Sequence, residues 1–538
     1  MRRAGFLTLA GRMAHRISRG RAVLAAITVP LLIAAGLTAT PTASASAPST
    51  TTGDRSTPSR AEAHAALVRA QAALAGHGPA RGGPASRDAT MALLDLVKVR
   101  SSLTGADRAA AAKAVARPNL AHAACTASNC YHWDTSGSDA VPATDNDADG
   151  IPDYVESVAA TVDDVRSTYA GAGYRTPEPD GSLGGNSQTD IYLADVGDQG
   201  LYGYCTSDKT FPNPPPSYDA WAYCVLDNDY SPSQFPTNTP LENLQVTAAH
   251  EYFHAVQFAY DLFEDHWFME ATATWAEDEL YDDVNDNLQY LVDSPLALPG
   301  QPVDTFSNGA GPQYGEWIFF RFLTEHLPAA SGGMPTIVRD MWERADGASG
   351  GPDDYSMLAV QNALAARSVS LVNAFTSFAA ANRMPGLNYD EGAANNYPVA
   401  SPAGTIKLSS SKKDSKWLYA KVDHMAAATA RFVPGSGLSA KTWKLKVSVD
   451  LTPKSTDTTA VITVARKSGG PQVMVVPINT SGDGSKKVSF GSSGVKYVEV
   501  TLVNAGTRYS CWNGGPFSCQ GTSKDDGRKL QVRAQVTK

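Results

Sequence analysis

The stretch that decides the reading runs Thr239-Pro240-Leu241-Glu242 into His250-Glu251-Tyr252-Phe253-His254 and on to Tyr260. Thr239 and Glu242 have the spacing of a capping box, and Pro240 falls at the first helical position. Leu241, Leu244, Ala248 and Val256 continue the helical pattern. On a helix, positions i and i+4 share a face. His250 and His254 can therefore turn both imidazoles toward one metal ion, with Glu251 beside them as a general base for water. The chain has only ten His, so an HExxH arises by chance in roughly one such chain in two hundred. Two structural histidines on a buried helix are the competing reading.

Zinc at a catalytic site takes three protein ligands and keeps one position open. The longer HExxHxxGxxH pattern is absent, because Gln257 stands at its Gly and Tyr260 at its last His. A second helical stretch follows, Trp267-Phe268-Met269-Glu270-Ala271-Thr272-Ala273-Thr274-Trp275-Ala276-Glu277. It resembles the glutamate helix of gluzincin-type zinc metallopeptidases (HExxH plus a downstream Glu). The wider chain, over roughly residues 90–538, resembles a poorly characterised family of secreted bacterial metalloproteases. That likeness rests on Asp145–Glu156, Asp190-Ile191-Tyr192-Leu193, Gly200–Cys205, the two helices, and Tyr509-Ser510-Cys511-Trp512. The resemblance implies a zincin-like catalytic domain with Glu270 as third zinc ligand; Glu277, further along the helix, is the alternative. Tyr314 and His266 are candidate oxyanion donors.

Upstream, Asp145-Asn146-Asp147-Ala148-Asp149-Gly150-Ile151-Pro152-Asp153-Tyr154-Val155-Glu156 matches a twelve-residue calcium loop. Asp145, Asp147, Asp149, Asp153 and Glu156 offer carboxylates and Ile151 its carbonyl, while Gly150 permits the sharp turn. A helix is expected after the loop and none before it. Pro152 lacks the N–H that would pair two such loops, so a single structural Ca2+ site is expected; a solvated acidic turn is the alternative. Asp278, Glu279, Asp282, Asp283 and Asp286 read as a solvated acidic face or a further ion site.

The N-terminus reads as a signal peptide over 1–45. Six Arg precede an apolar run from Ala22 to Leu37, and Ala43-Ser44-Ala45 supplies a cleavage pattern. That run is short for a membrane span. Arg2-Arg3 leaves open the general or twin-arginine route. A secreted, extracellular protein makes the cysteines readable as disulfides. Proximity favours Cys125 with Cys130, Cys205 with Cys224, and Cys511 with Cys519.

Residues 46–120, rich in Ala, Ser, Arg and Pro, are expected to form a helical propeptide, with helices over Ala61–Ala75 and Met91–Ala116. Residues 121–403 mix short alternating runs with helical periods, an α+β pattern. From 404 to 538 the period becomes two, with Gly, Ser, Asn and Asp between runs, the signature of a β-sandwich. The expected fold is thus multidomain, an α+β zincin-like domain followed by an all-β sandwich.

The 538 residues carry a formal charge of −9, which argues against a nucleic-acid partner. The charge is uneven. Residues 404–538 hold 21 Lys and Arg against 8 Asp and Glu, net +13, whereas residues 46–403 carry −28. Complementary docking of the two bodies is the favoured reading; the partner of the basic domain is otherwise unknown. The expected function is a secreted zymogen of a zinc peptidase, acting on a peptide or protein substrate. The alternatives are a catalytically inactive, metallopeptidase-like adhesion or carbohydrate-binding protein, and a zinc hydrolase of other substrates.

Overall fold

The computed structural model describes residues 58–76, 89–308 and 311–538. The signal peptide expected over 1–45 lies outside these. The architecture is mixed α/β with several sheets.

Three helices open the described chain. Helix α1 (Arg60–Leu74) starts at a capping box of Ser59 and Glu62. The expected single helix over Met91–Ala116 is instead two, α2 (Ala89–Val99) and α3 (Gly105–Ala114), joined by a 3₁₀ turn at Arg100–Ser102. Leu103 and Thr104 are extended there. The Gly105 that follows adopts φ +56°, a conformation that favours glycine and breaks a continuous helix.

The next body is built on a five-stranded sheet. Its strands are β1 (His122–Cys125), β2 (Asn129–Trp133), β3 (Thr189–Ala194), β4 (Gly203–Thr206) and β5 (Tyr223–Asp227). The order is β1-β2-β3-β5-β4; β2, β3 and β5 run parallel, and β4 is an antiparallel edge strand. Cys125–Cys130 staples β1 to β2 and Cys205–Cys224 staples β4 to β5, each across directly opposed positions. The third bond, Cys511–Cys519, also forms as expected. Helix α4 (Asp153–Gly171) packs between β2 and α5 (Pro240–Asp261). Helix α5 begins at the Thr239/Glu242 capping box, and every residue from Val246 to Asp261 is buried. Only residues 262–265 connect it to α6 (His266–Leu280), so α6 turns back along α5.

Two further sheets follow. One has five strands, ordered Gln472–Val475, Thr458–Arg466, Val495–Asn504, Ala426–Pro434 and Gly404–Leu408. The other has four, ordered Asp483–Ser489, Lys444–Asp450, Arg528–Thr537 and Leu418–Val422. Alternate residues such as Leu445, Val447 and Val449 meet Ile462, Val498 and Val500 in one core, so the sheets face each other as a sandwich.

Charge does not dock this sandwich in the simple manner its composition suggests. One buried pair has the expected polarity: His424 Nε2 lies 2.9 Å from Asp304 Oδ1. Another is reversed, since Arg383 of the α/β body binds Glu499 of the sandwich at 3.0 Å. Most of the Lys that make the domain basic, including Lys407, Lys412, Lys421 and Lys529, are exposed. Desolvation dictates this pattern. A buried Lys needs a dedicated partner, whereas a few pre-formed pairs suffice for the interface.

Burial would lower the His424 pKa, but Asp304 and Asp526 outweigh it and hold it up at about 9. The ordinary value is about 6.5. The pair's contribution is therefore full below about pH 6.5 and is lost as pH rises through about 9, on the order of 3 kcal/mol. Thermal midpoints of the full chain at pH 6 and 9.5 should differ more in wild type than in His424→Gln; equal differences would contradict the linkage.

Candidate metal and active site

The hairpin of α5 and α6 sets the geometry. His254 lies seven residues before the end of α5 and Glu270 is the fifth residue of α6. At 1.5 Å per residue these are about 10 Å and 6 Å from the turn, close enough for the side chains to meet. His250 Nε2 is 3.0 Å from His254 Nε2 and 3.1 Å from Glu270 Oε2, and His254 Nε2 is 3.7 Å from that carboxylate oxygen. All three residues are fully buried.

The tautomers follow from the outer partners. His250 Nδ1 meets Glu277 Oε1 at 2.6 Å. His254 Nδ1 meets Gln257 Oε1 at 2.7 Å. The orientation of Gln257 is fixed, because its Nε2 donates to Met269 O at 2.9 Å and Thr272 Oγ1 at 3.1 Å. Both Nδ1 atoms can therefore donate outward, with both Nε2 atoms turned toward Glu270. Two Nε2 atoms and a carboxylate this close in a buried space need a proton or a metal cation shared between them. A tetrahedral ion with bonds of about 2.05 Å would hold two ligand atoms about 3.3 Å apart, in the middle of the three observed separations. The group His250, His254 and Glu270 could hold a metal ion.

Glu277 thus sits on the outer side of His250, where a carboxylate would orient a metal-ligating His, and Glu270 occupies the position facing both rings. Glu251 is buried one residue after His250, and its Oε2 accepts a hydrogen bond of 3.1 Å from Thr90 Oγ1. Tyr314 lies beside the group, its ring centroid 6.4 Å from that of His250. His266 is engaged elsewhere, with Asp95 Oδ1 and Lys98 Nζ each at 3.2 Å. Thr90 and Gln257 were not singled out as functional from sequence. Gln257 could have been, since it lies three residues after His254 and so on the same helix face.

The acidic loop is open to solvent. Asp145, Asp147 and Asp149 converge and could hold a metal ion. Gly150 adopts φ +93°, and Asp145 Oδ2 accepts from its N–H at 3.0 Å. Asp153 instead accepts from Asn146 N at 2.9 Å. Burial, then the negative charge of Asp147, Asp149, Asp153 and Asp145, raises the Glu156 pKa. That mutual repulsion is what a bound cation would relieve. Helix α4 follows the loop as expected.

The cluster at Asp278 is solvated only in part, with Asp282 and Asp283 exposed but Asp278 and Asp286 buried. Arg321 enters it, reaching Asp278 at 3.1 Å, Glu279 at 3.3 Å, Asp282 at 3.2 Å and Glu325 at 2.9 Å. Although Asp278, Asp282 and Glu391 are close enough to share an ion, a guanidinium already supplies positive charge there. Asp286 accepts from Asn238 and Gln289.

No family model matches the chain, and no curated protein does. Among solved structures, one match is the pre-peptidase C-terminal domain of a collagenase from Bacillus anthracis. It is 8% identical, with TM-score 0.15, covering 26% of this chain and 97% of that one. Another is a family GH115 4-O-methyl-alpha-glucuronidase with specificity for decorated arabinogalactans. It is 11% identical, with TM-score 0.14, covering 68% of this chain and 54% of that one. Scores this low carry no argument about fold or activity. Among the described residues no helix is long and apolar enough to cross a membrane.

Replacing Gln257 by Leu removes the acceptor that fixes His254. Divalent-metal affinity, measured by competition with a chromogenic chelator, should weaken roughly 10- to 100-fold; unchanged affinity would show that His254 is oriented without it.

Proposed function

We propose that the chain is a secreted zinc-dependent peptidase, with His250, His254 and Glu270 as zinc ligands and Glu251 as general base. The observation that carries this reading is the convergence of two Nε2 atoms and one carboxylate, with both Nδ1 atoms engaged by outer partners. The donor set, two imidazoles and a carboxylate, suits zinc. The three disulfides fit an oxidising compartment.

Bound zinc would supply Lewis acidity, making water nucleophilic near neutral pH. Glu251 takes the proton from the attacking water at its carboxylate and delivers it to the nitrogen of the departing amine. Gln257 and Glu277 hold the imidazole rings in one orientation throughout. Tyr314, beside His250, is the residue best positioned among the named candidates to donate to the developing oxyanion. The sheet edge at β4, which α2 covers, would suit an extended peptide once uncovered, because a free strand edge pairs with peptide backbone.

Glu251→Gln should retain zinc and lower peptide hydrolysis by at least about 10²- to 10⁴-fold, read on casein and a proteome-derived peptide pool with and without 1,10-phenanthroline. Retained turnover would refute the role of Glu251. Stoichiometric zinc without chelator-sensitive cleavage, in a chain with an accessible site, would favour the inactive binding protein.

The loop Asp145–Glu156 is proposed as a structural calcium site, with Asp145, Asp147, Asp149, Asp153, Glu156 and the Ile151 carbonyl as its ligands. Calcium at a hundredfold excess over its Kd should stabilise the chain by about 2.7 kcal/mol. A thermal midpoint that does not fall on adding EGTA, or falls equally in Asp147→Asn, would count against it.

A further inference from the structure

A short loop of the C-terminal domain enters the α/β body beside α6. Tyr509–Ser510 and Thr522–Ser523 pair at its base, and Cys511–Cys519 closes it. Within it, Ser518, Cys519 and Gln520 give three consecutive backbone N–H groups to two buried aspartates of the body. Ser518 N donates to Asp304 Oδ2 at 3.0 Å. Cys519 N and Gln520 N donate to Asp265 Oδ2 and Oδ1 at 2.5 Å and 3.2 Å. The Ser518 hydroxyl adds a bond of 2.7 Å to Asp304, and Pro516 O accepts from Phe306 N at 2.9 Å.

Asp265 is the N-cap of α6. An Asp at that position ordinarily turns its carboxylate back to an N–H of its own first turn. Asp265 makes no such bond; its oxygens face the loop, and Oδ1 also accepts from the Tyr355 hydroxyl at 3.1 Å. The start of α6 is thereby tied to residues more than 250 positions later in the chain. Glu270 lies little more than one helical turn beyond Asp265. His250 and His254 stand on α5, so a shift of α6 alone changes their separations from the Glu270 carboxylate.

The loop does not hold its shape by local preference. Trp512, Cys519 and Gln520 have φ of +59°, +55° and +45°, a region that residues other than glycine occupy only when their surroundings enforce it. The disulfide and the two aspartates supply that enforcement, with the Trp512 ring packed 4.9 Å from that of Tyr355.

We propose that the Cys511–Cys519 loop positions Glu270 through Asp265, which makes the sandwich domain a working part of the metal site. Asp265 is a positioning residue and touches no metal. The inference rests on His250, His254 and Glu270 as metal ligands, and not on peptide hydrolysis.

The test uses the full chain with Co2+ as the probe. Affinity is read by competition with a chromogenic chelator, and coordination geometry by the visible absorption of the bound ion. Amide hydrogen exchange over residues 266–270 is followed in the metal-free chain. The variants are Asp265→Asn, the pair Cys511→Ser with Cys519→Ser, and all three changes together. Arg383→Gln is the control, since it breaks the sandwich contact through Glu499 and leaves Asp265 intact. Asp265→Asn and the disulfide variant should each lose affinity about tenfold, with an altered spectrum and faster exchange. The combined variant should lose no more than the weaker of the two, because both cut one link. Arg383→Gln should match wild type. Unchanged affinity and spectrum in Asp265→Asn would overturn the inference, as would full additivity or an equal loss in Arg383→Gln. Faster exchange at wild-type affinity would also overturn it, by showing that the loop holds the helix without setting Glu270. If either Asp265→Asn or the disulfide variant fails to fold, the other decides. Wild type that binds no Co2+ removes the metal reading and this inference with it, whereas tight Co2+ binding without peptide cleavage sinks the peptidase reading alone.

Discussion

Two imidazole Nε2 atoms held 3.0 Å apart beside a carboxylate in a fully buried interior are the constraint on which the rest of the structure depends. Left alone, His250 and His254 could each turn or exchange tautomers to relieve that contact. Gln257 and Glu277 remove the option by holding both Nδ1 protons. Gln257 is in turn held by Met269 O and Thr272 Oγ1, and Thr272 also receives the indole N–H of Trp342 at 3.2 Å. Buried polar groups of this kind are costly unless fully partnered, so the shell around the rings is as specific as the rings themselves. Its residues come from α5, α6 and Thr336–Arg344, which makes ring orientation a property of the helix packing.

The same packing explains why fifteen residues between His254 and Glu270 suffice. A four-residue turn brings the second helix back at once, and the contacts 257 to 269, 254 to 270 and 250 to 277 show the two helices running antiparallel. The turn is itself buttressed. Leu262 N donates to Tyr218 O and Ala220 N to Phe258 O, so the Pro-rich loop closed by Cys205–Cys224 grips the hairpin from outside. That disulfide also joins β4 to β5 behind the site, and its Cys205 Sγ approaches the Glu251 carbonyl oxygen to 2.9 Å. Strand edge, Glu251 and hairpin are therefore joined by direct contacts.

What the sequence made legible was mostly local. The capping box, the i, i+4 histidines, the loop from Asp145 to Gly150 and the nearest-neighbour cysteines each declare themselves within a few residues. The long strands of the sandwich follow from period two. Less legible were β2, β4 and β5, which are four or five residues long, buried at every position, and so show no alternation. The break between α2 and α3 was missed because Ala-rich flanks mask the conformation of Gly105. Net charge misled at two places. The sandwich is docked partly by Glu499 on Arg383, and Asp278, Glu279 and Asp282 of the acidic run gather around a half-buried Arg321 from Trp317–His326. A formal count cannot tell which few of many charges are desolvated.

Thr90 shows the limit of local reading most plainly. It precedes Glu251 by 161 residues, and nothing in Ala89-Thr90-Met91 distinguishes it from any threonine at the start of a helix. Its role comes from topology. An edge strand needs a cover, and here the cover is supplied by the N-terminal helices and not by another strand. A strand could have paired along the whole of β4 and become a permanent member of the sheet. A helix offers side chains in place of a backbone ladder, so its hold on β4 rests on apolar packing and one hydroxyl. Such a cover can be removed without tearing the sheet.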